Sequence, residues 1–292
     1  MKTYIVTGAT GYLGSRITRT LINNGERVIV LKRKTSSMAR LEDVLDKVVA
    51  FDLDSSELTT LFQDEDEVDA VIHTATCYGR EKEGLDSILE VNTLLPLRLL
   101  ELANKNNVKC FLNIDTLLGS NVNAYALSKH QFVEWAEFLS VQFDIKFVNL
   151  KSEYFYGPGD NESSFISYII KSCLCNVDSL DLTLGEQKRD FIYIEDLVSL
   201  IMLLLSRLAV QGPKFTEYEV GSGNSIAIKD MVELIRRLTS SSTKLNFGAI
   251  PYRENEVMLS EVNISQLNAL GWSSKYSLEE GLVKTIRSMS NV

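Results

Sequence analysis

A chain of 292 residues with 45% hydrophobic and 24% charged residues, 16 glycines and only 4 prolines has an ordinary globular composition. It carries enough apolar mass for one large α/β domain, or two that share an interface, and this excludes collagenous, disordered and disulfide-scaffold classes. The 30 Lys and Arg against 39 Asp and Glu leave a formal charge of −9, so no global basic field gathers nucleic acid or anionic lipid, and an anionic ligand must be held locally.

From residue 2 to about 150, short β-branched runs alternate with amphipathic stretches. Strands are expected at 3–7, 28–31, 48–51, 70–74, 110–114 and 145–150, with helical stretches at 12–24, 37–46, 56–62, 85–106 and 124–142. Strands that alternate with helices imply a Rossmann-type, doubly wound parallel sheet with ligands at the C-terminal ends of its strands. After Tyr156-Gly157-Pro158-Gly159 the pattern changes to shorter helices, a strand at 190–194, an apolar helix at about 196–209 and a strand at 216–220. The expected division is a dinucleotide-binding domain at 1–158, completed by part of 188–210, and a smaller substrate-binding α/β region at 159–292. The apolar run 197–205 is interrupted by Ser199 and falls far short of the roughly 20 residues that span a bilayer, so it reads as a buried helix. The acidic run at 64–67 reads as a solvated helix end or loop.

Cys77, Cys110, Cys173 and Cys175 are too scattered for a disulfide framework and form no C-x-x-C pair, so four buried thiols and no metal are expected. The N-terminus enters a strand pattern at once, without basic, apolar and cleavage regions, which points to a cytoplasmic protein rather than a secreted one.

Gly8-Ala9-Thr10-Gly11-Tyr12-Leu13-Gly14 follows the first strand and opens a helix, the context in which a glycine motif cradles a pyrophosphate. Gly8 permits a tight turn, Gly11 lets backbone approach the phosphates, Gly14 allows close helix packing, and the helix N-terminus supplies N–H donors. The second strand runs into Lys32-Arg33-Lys34, where an NAD site usually carries an acid. Cations there suit the 2′-phosphate of NADP, with Arg33 the best fork-shaped donor and Lys32 beside it.

Tyr125 and Lys129 lie four residues apart on one face of the helix starting near 124. A phenol is a poor acid or base at neutral pH until a cation stabilises its phenolate, and Lys129 is spaced to do that. Thr116, just past the strand at 110–114, brings a hydroxyl to the same sheet edge, where it can bond a substrate carbonyl while Tyr125 protonates it.

With these residues, and with Phe51-Asp52-Leu53, His73-Thr74-Ala75, Tyr156-Gly157-Pro158-Gly159 and the run from Arg189 to Asp196, the chain resembles the extended short-chain dehydrogenase/reductase family over nearly its whole length. The resemblance implies that Asp52 and Leu53 lie by the adenine, Thr74 and Ala75 by the cofactor ribose or phosphates, and Lys129 by the nicotinamide ribose. Arg189 and Arg253 correspond to clamps for a nucleotide-sugar diphosphate, and Glu256 to an acid near the nucleotide ribose. His73 reads as a packed strand-end histidine. Family members that eliminate water carry an Asp-Glu pair after the catalytic hydroxyl; here Leu117 and Leu118 stand there, which argues against a 4,6-dehydratase. Only nine positions separate Thr116 from Tyr125, so a loop that usually covers the sugar is missing. Lys151 and Tyr154 replace the usual Arg and Asn before Tyr156, and Tyr154 either contacts the sugar or packs.

Within the family the chain is most similar to the 4-ketoreductases of CDP-linked 3,6-dideoxyhexoses, on Cys77-Tyr78-Gly79-Arg80, Phe111-Leu112-Asn113, Glu153 through Asp160, Gly185 through Phe191, Phe247 through Ile250 and Arg253 through Glu256. The short connection and the Cys-Tyr-Gly-Arg segment lean toward the paratose-forming branch rather than the abequose-forming one. This resemblance implies an NADPH-dependent 4-reductase of a CDP-4-keto-3,6-dideoxyhexose in bacterial O-antigen assembly, a homodimer through helices 85–106 and 124–142, and Cys77, Tyr78 and Arg80 in the sugar pocket. The alternatives are a nucleotide-sugar 4-epimerase that keeps NAD bound and a non-catalytic NADP-binding protein.

Overall fold

The computed structural model describes residues 1–54, 57–63, 65, 67–80, 83–152, 154–207 and 212–290. Contacts divide the chain into two units, Met1–Lys151 with Ile201–Tyr218, and Ser152–Leu200 with Glu219–Val292.

The first unit is built on β1 (Thr3–Thr7), β2 (Arg27–Lys32), β3 (Val48–Asp52), β4 (Ala70–His73), β5 (Cys110–Thr116) and β6 (Lys146–Ser152), with α1 (Tyr12–Asn23), α2 (Leu85–Leu89), α3 (Leu95–Lys105) and α4 (Ala124–Ser140) between them. With β10 (Phe215–Val220) these strands form a seven-stranded parallel sheet in the order β10-β6-β5-β4-β1-β2-β3. The order reverses between β1 and β4, the switch point at which a doubly wound sheet opens a ligand crevice. β1, β4 and β5 are buried along their whole length, as central strands covered by helices on both faces must be. Beneath α4, the rings of Phe111, Phe147 and Phe215 stack at 5.7 and 5.6 Å, and Phe132 of the helix caps them edge-on. Truncating a core ring such as Phe111 would cost about 3–5 kcal/mol.

The second unit holds β7 (Tyr154–Tyr156), α5 (Phe165–Leu174), β8 (Ser179–Leu182), β9 (Lys188–Tyr193), α6 (Ile194–Ser206, whose last turns enter the first unit), β11 (Ser225–Ala227), α7 (Ile228–Leu238), β12 (Lys244–Phe247), α8 (Ser265–Ala269) and α9 (Leu278–Ser290). β9 pairs in parallel with β7 and antiparallel with β11, and β8 pairs with β12. α5, α7 and α9 pack on one another. α7 turns Ile228, Met231, Val232 and Ile235 inward, the spacing of one helix face.

Several expectations are corrected. Within the stretches expected at 37–46 and 56–62, of which residue 56 lies outside the described residues, Ala39–Lys47 and Leu58–Phe62 form 3-10 turns, each burying only two side chains, too few to hold a full helix. The helix expected at 85–106 contains a π-turn at Glu90–Leu94. The helix expected at 196–209 starts at Ile194 and ends at Ser206, and residues 208 and 209 lie outside the described residues. In the acidic run, Asp64 and Asp66 lie outside them too. Glu65 is not merely solvated, because Arg27 grips its carboxylate with two bonds of 2.8 and 2.7 Å. Cys175 is exposed, while the other three thiols are buried.

Candidate active site

Gly8 adopts φ +65°, and a Cβ there would stand 2.6 Å from the Ala75 nitrogen. The close approach comes from a knot of bonds at the switch point. Thr74 Oγ1 donates to the Thr7 carbonyl at 2.7 Å, Ala75 N donates to Thr7 Oγ1 at 3.2 Å, and Thr7 Oγ1 bonds His73 Nδ1 at 2.8 Å. Gly14 has no room for a Cβ against the Gly8 carbonyl, and Gly11 N donates to that carbonyl at 2.9 Å. Tyr12 and Leu13 are buried in the first turn of α1, and Thr10 is half-buried before it. The N-cap, Gly11, provides no side-chain bond, and the first turn holds no acid. Such an end presents its N–H groups to an anion, so the loop fits a dinucleotide pyrophosphate.

At the end of β2, Lys32 stands opposite Asp52 of β3, and Leu53 N donates to the Lys32 carbonyl. Asp52 is half-buried and accepts the Asp54 amide at 3.0 Å. Arg33 is exposed and makes no ion pair among the described residues.

Thr116 is the last residue of β5. Its hydroxyl accepts the Leu118 amide at 3.2 Å and shares a side-chain hydrogen bond with Tyr125. Tyr125 stands in the first turn of α4, which begins there because Asn123 caps it, its Oδ1 accepting the Ala126 amide at 2.8 Å. Burial pushes the phenol above its ordinary range, the neighbouring Tyr78 and Asp115 push the same way, and the Thr116 bond and Arg80 oppose them. Lys129, one turn deeper and fully buried, donates to the Ile114 carbonyl at 2.5 Å. Burial brings its ammonium down to about 8, against the attraction of Asp115. The spacing of Tyr125 and Lys129 suggests that Lys129 tunes the phenol directly. In the structure Thr116 and Arg80 draw the phenol down, and Lys129 bears on His73 as well, keeping that buried imidazole neutral together with desolvation.

The loop after β4 places the Tyr78 ring centroid 5.0 Å from that of Tyr125, and the Arg80 guanidinium lies 4.6 Å from the Tyr78 ring centroid. Cys77 is buried. Both of its backbone polar groups bond the side chain of Asn92 at 2.8 Å, and Asn92 Nδ2 also donates to Ser128 Oγ at 2.9 Å. The π-turn aims Asn92 at this loop. Asn92, like Asp115, is absent from the sequence-based site. The available signal is a polar residue inside an otherwise apolar helical stretch, Val91-Asn92-Thr93-Leu94-Leu95.

The second unit brings Arg189 and Glu256 together at 2.6 Å, with Arg189 Nη1 also donating to the Lys188 carbonyl. Arg253 is exposed, and its carbonyl accepts the Glu256 amide at 3.1 Å. Tyr154 is exposed, with its ring 5.9 Å from Phe191. Glu153 lies outside the described residues.

Comparison with known proteins places the chain among sugar-nucleotide enzymes in sequence and fold. The chain is 35% identical to a CDP-abequose synthase of Salmonella muenchen, covering 98% of this chain and 97% of that protein. A CDP-abequose synthase of Salmonella typhimurium is 33% identical, with 99% of each covered. Among solved structures, the UDP-glucose 4-epimerase of Thermotoga maritima with UDP-glucose superposes with a TM-score of 0.86 at 22% identity, covering 99% of both chains. The UDP-glucuronic acid 4-epimerase of Bacillus cereus with UDP-glucuronic acid and NAD gives 0.84 at 22%, again over 99% of both. At that identity these structures establish the fold. The profile of the NAD dependent epimerase/dehydratase family matches residues 4–221, and the chain belongs to that family.

Proposed function

We propose that the chain is an NADPH-dependent 4-ketoreductase of a CDP-4-keto-3,6-dideoxyhexose in O-antigen sugar biosynthesis, yielding CDP-abequose or its C4 epimer CDP-paratose. The observation that carries this reading is Tyr125, a phenol kept protonated by burial and hydrogen-bonded to the Thr116 hydroxyl. Such a pair serves a carbonyl that must receive a proton. When bound, the cofactor supplies a hydride to C4 of the sugar. Thr116 donates a hydrogen bond to the C4 oxygen, Tyr125 transfers its proton to that oxygen as the alcohol forms, and Lys129 keeps the surroundings of Tyr125 cationic. Each turnover therefore consumes one proton. Leu117 and Leu118 offer no second acid and base, so water elimination has no hardware.

In this reading Gly8, Thr10, Gly11, Tyr12, Leu13 and Gly14 hold the pyrophosphate. Arg33 and Lys32 hold the 2′-phosphate, Asp52 and Leu53 flank the adenine, and Thr74 and Ala75 line the ribose side. Arg189 and Arg253 bind the substrate diphosphate, Glu256 orients Arg189 and the nucleotide ribose, and Cys77, Tyr78, Arg80 and Tyr154 shape the sugar contacts. The names of the two Salmonella relatives favour the abequose outcome over the paratose outcome that the short connection after Thr116 suggests.

The deciding experiment mixes the protein with NADPH and the CDP-4-keto sugar generated in situ, follows nicotinamide absorbance, and takes an NMR spectrum of the product. Stoichiometric NADPH consumption is expected, with a small H4–H5 coupling for an axial hydroxyl. Inversion of a stable nucleotide hexose at C4 without cofactor consumption would instead establish the epimerase with retained NAD.

The protein is also proposed to be a cytoplasmic homodimer. No helix among the described residues is long and apolar enough to cross a membrane. α4 exposes Trp135 and Phe138 by 50 and 61%, and Val141 directly after it is 84% exposed, apolar surface suited to a second copy. Sedimentation of Phe138→Glu against the parent chain tests this, and equal masses would overturn it.

A further inference from the structure

Asp115, directly before Thr116 on β5, is a buried carboxylate that the reaction as derived does not use. Asn113 and Asp115 point to the face of the sheet covered by α4, since alternate residues of a strand share a face. Both meet Asn149 of β6 there: Asn113 Nδ2 donates to Asn149 Oδ1 at 2.8 Å, and Asn149 Nδ2 donates to Asp115 Oδ2 at 3.0 Å. Asn149 Nδ2 donates as well to Glu217 of β10 at 2.8 Å. Asp115 is thus held in one orientation by an amide that is itself held on two sides, and its other oxygen, Oδ1, is buried with no hydrogen-bond partner among the described residues. A buried carboxylate with half its acceptor capacity unused is expensive unless a nearby cation compensates it.

The cation is Lys129, whose Nζ donates at 2.5 Å to the carbonyl of Ile114, the residue before Asp115 on β5. The charged and titratable groups around it come from every packed element. β4 supplies His73, which is buried and neutral. β5 supplies Asp115, and α4 itself supplies Tyr125. β6 and β10 supply Lys151 and Glu217, which pair with each other at 2.5 Å. The π-turn supplies only the uncharged Asn92 and Thr93, which bond Ser128. Of these, Asp115 is the carboxylate that acts on Lys129.

We propose that Asp115 is a positioning residue of the active site, the buried counter-charge of Lys129. Its negative charge favours the ammonium of Lys129 and opposes ionisation of the Tyr125 phenol. A charged Lys129 suits a site that gives a proton to a ketone, so the inference deepens the ketoreductase reading and rests on it for its catalytic consequence. Asp115 acts through its neighbours, without touching the substrate.

The test uses the whole protein with its lysines labelled with 13C at Cε, the Lys129 resonance being the one absent from Lys129→Met. In the parent chain this resonance is expected to titrate near pH 8, and in Asp115→Asn at a lower pH. The high-pH limb of kcat should move with it, leaving activity near pH 6 within about threefold of the parent and reducing it by about tenfold or more near pH 8. A folded Asp115→Asn protein whose Lys129 titrates where the parent's does would overturn the proposal, and so would an activity loss equal at every pH. Asp115→Ser, which leaves room for water, repeats the measurement if the amide disturbs folding. The lysine titration needs no substrate, so failure of the parent chain to oxidise NADPH would refute the ketoreductase reading while the role of Asp115 is still decided.

Discussion

Both units bury acids, and they use them in different ways. In the second unit, Asp190 accepts the Ser222 amide, the Ser222 hydroxyl and the Gly223 amide, each at 2.7 Å, and Asp196 accepts the Lys275 and Tyr276 amides at 2.9 and 3.1 Å. These carboxylates replace missing strand and helix partners for irregular backbone, each spending its oxygens on loop N–H groups. In the first unit the backbone is satisfied by a regular sheet, so Asp115 accepts one amide side chain and keeps an oxygen unspent, one residue from the carbonyl that Lys129 bonds. A buried charge whose acceptors are all occupied by main chain is structural, and one left half-occupied next to a titratable cation is available to chemistry.

The sharpest way to break this contrast is to remove the structural acid. Asp190→Ala strands three donors and should lower stability by about 3 kcal/mol, read as a drop in urea midpoint. A loss of turnover with an unchanged midpoint would move Asp190 into the chemical class. Next, Tyr125→Phe should reduce kcat by about a hundredfold or more while NADPH still binds, as followed by cofactor fluorescence, and near-normal turnover would remove Tyr125 from its role.

A smaller effect concerns the cost of burying Lys129. Its folded pKa, about 8, lies below its ordinary value of 10.5, so between these values the unfolded chain holds a proton that the folded one has released. Stability therefore rises with pH through that window, and below it the full cost of burial persists. Relative to Lys129→Met, the parent chain should gain about 2 kcal/mol between pH 7.5 and 9.5 in urea unfolding. A flat difference would mean that Lys129 is not desolvated as described. The smallest effect is at the exposed edge, where Arg33→Ala should raise the Kd for NADPH about tenfold and leave that for NADH nearly unchanged. Equal losses would remove the 2′-phosphate from the reading.

Much of the first unit was legible because its central strands are buried on both faces and read as continuous apolar runs; β1 spans the expected residues 3–7. The contact between Thr116 and Tyr125 was legible as well, since a strand end followed by a helix start fixes where both side chains arrive. The second unit resisted. β7, β8, β11 and β12 are three or four residues long with mixed exposure, too short for a period to show. Asp115 was hidden by position, because an acid at the end of a β-branched run reads as the polar edge of a loop. Only the pairing of β5 with its neighbours turns it inward toward Asn149. Asn92 was hidden by geometry, because a helical template with a constant 3.6-residue period has no place for a π-turn.

That π-turn at Glu90–Leu94 also sets a phase. One extra residue in a helix rotates everything before it by about 100° relative to everything after it. Excising a single residue from this stretch would restore a regular helix from Leu85 to Lys105 and keep its composition nearly intact, yet it would swing either Asn92 away from Cys77 or Leu99 and Leu100 out of the core. The segment should therefore tolerate many substitutions and almost no change in length.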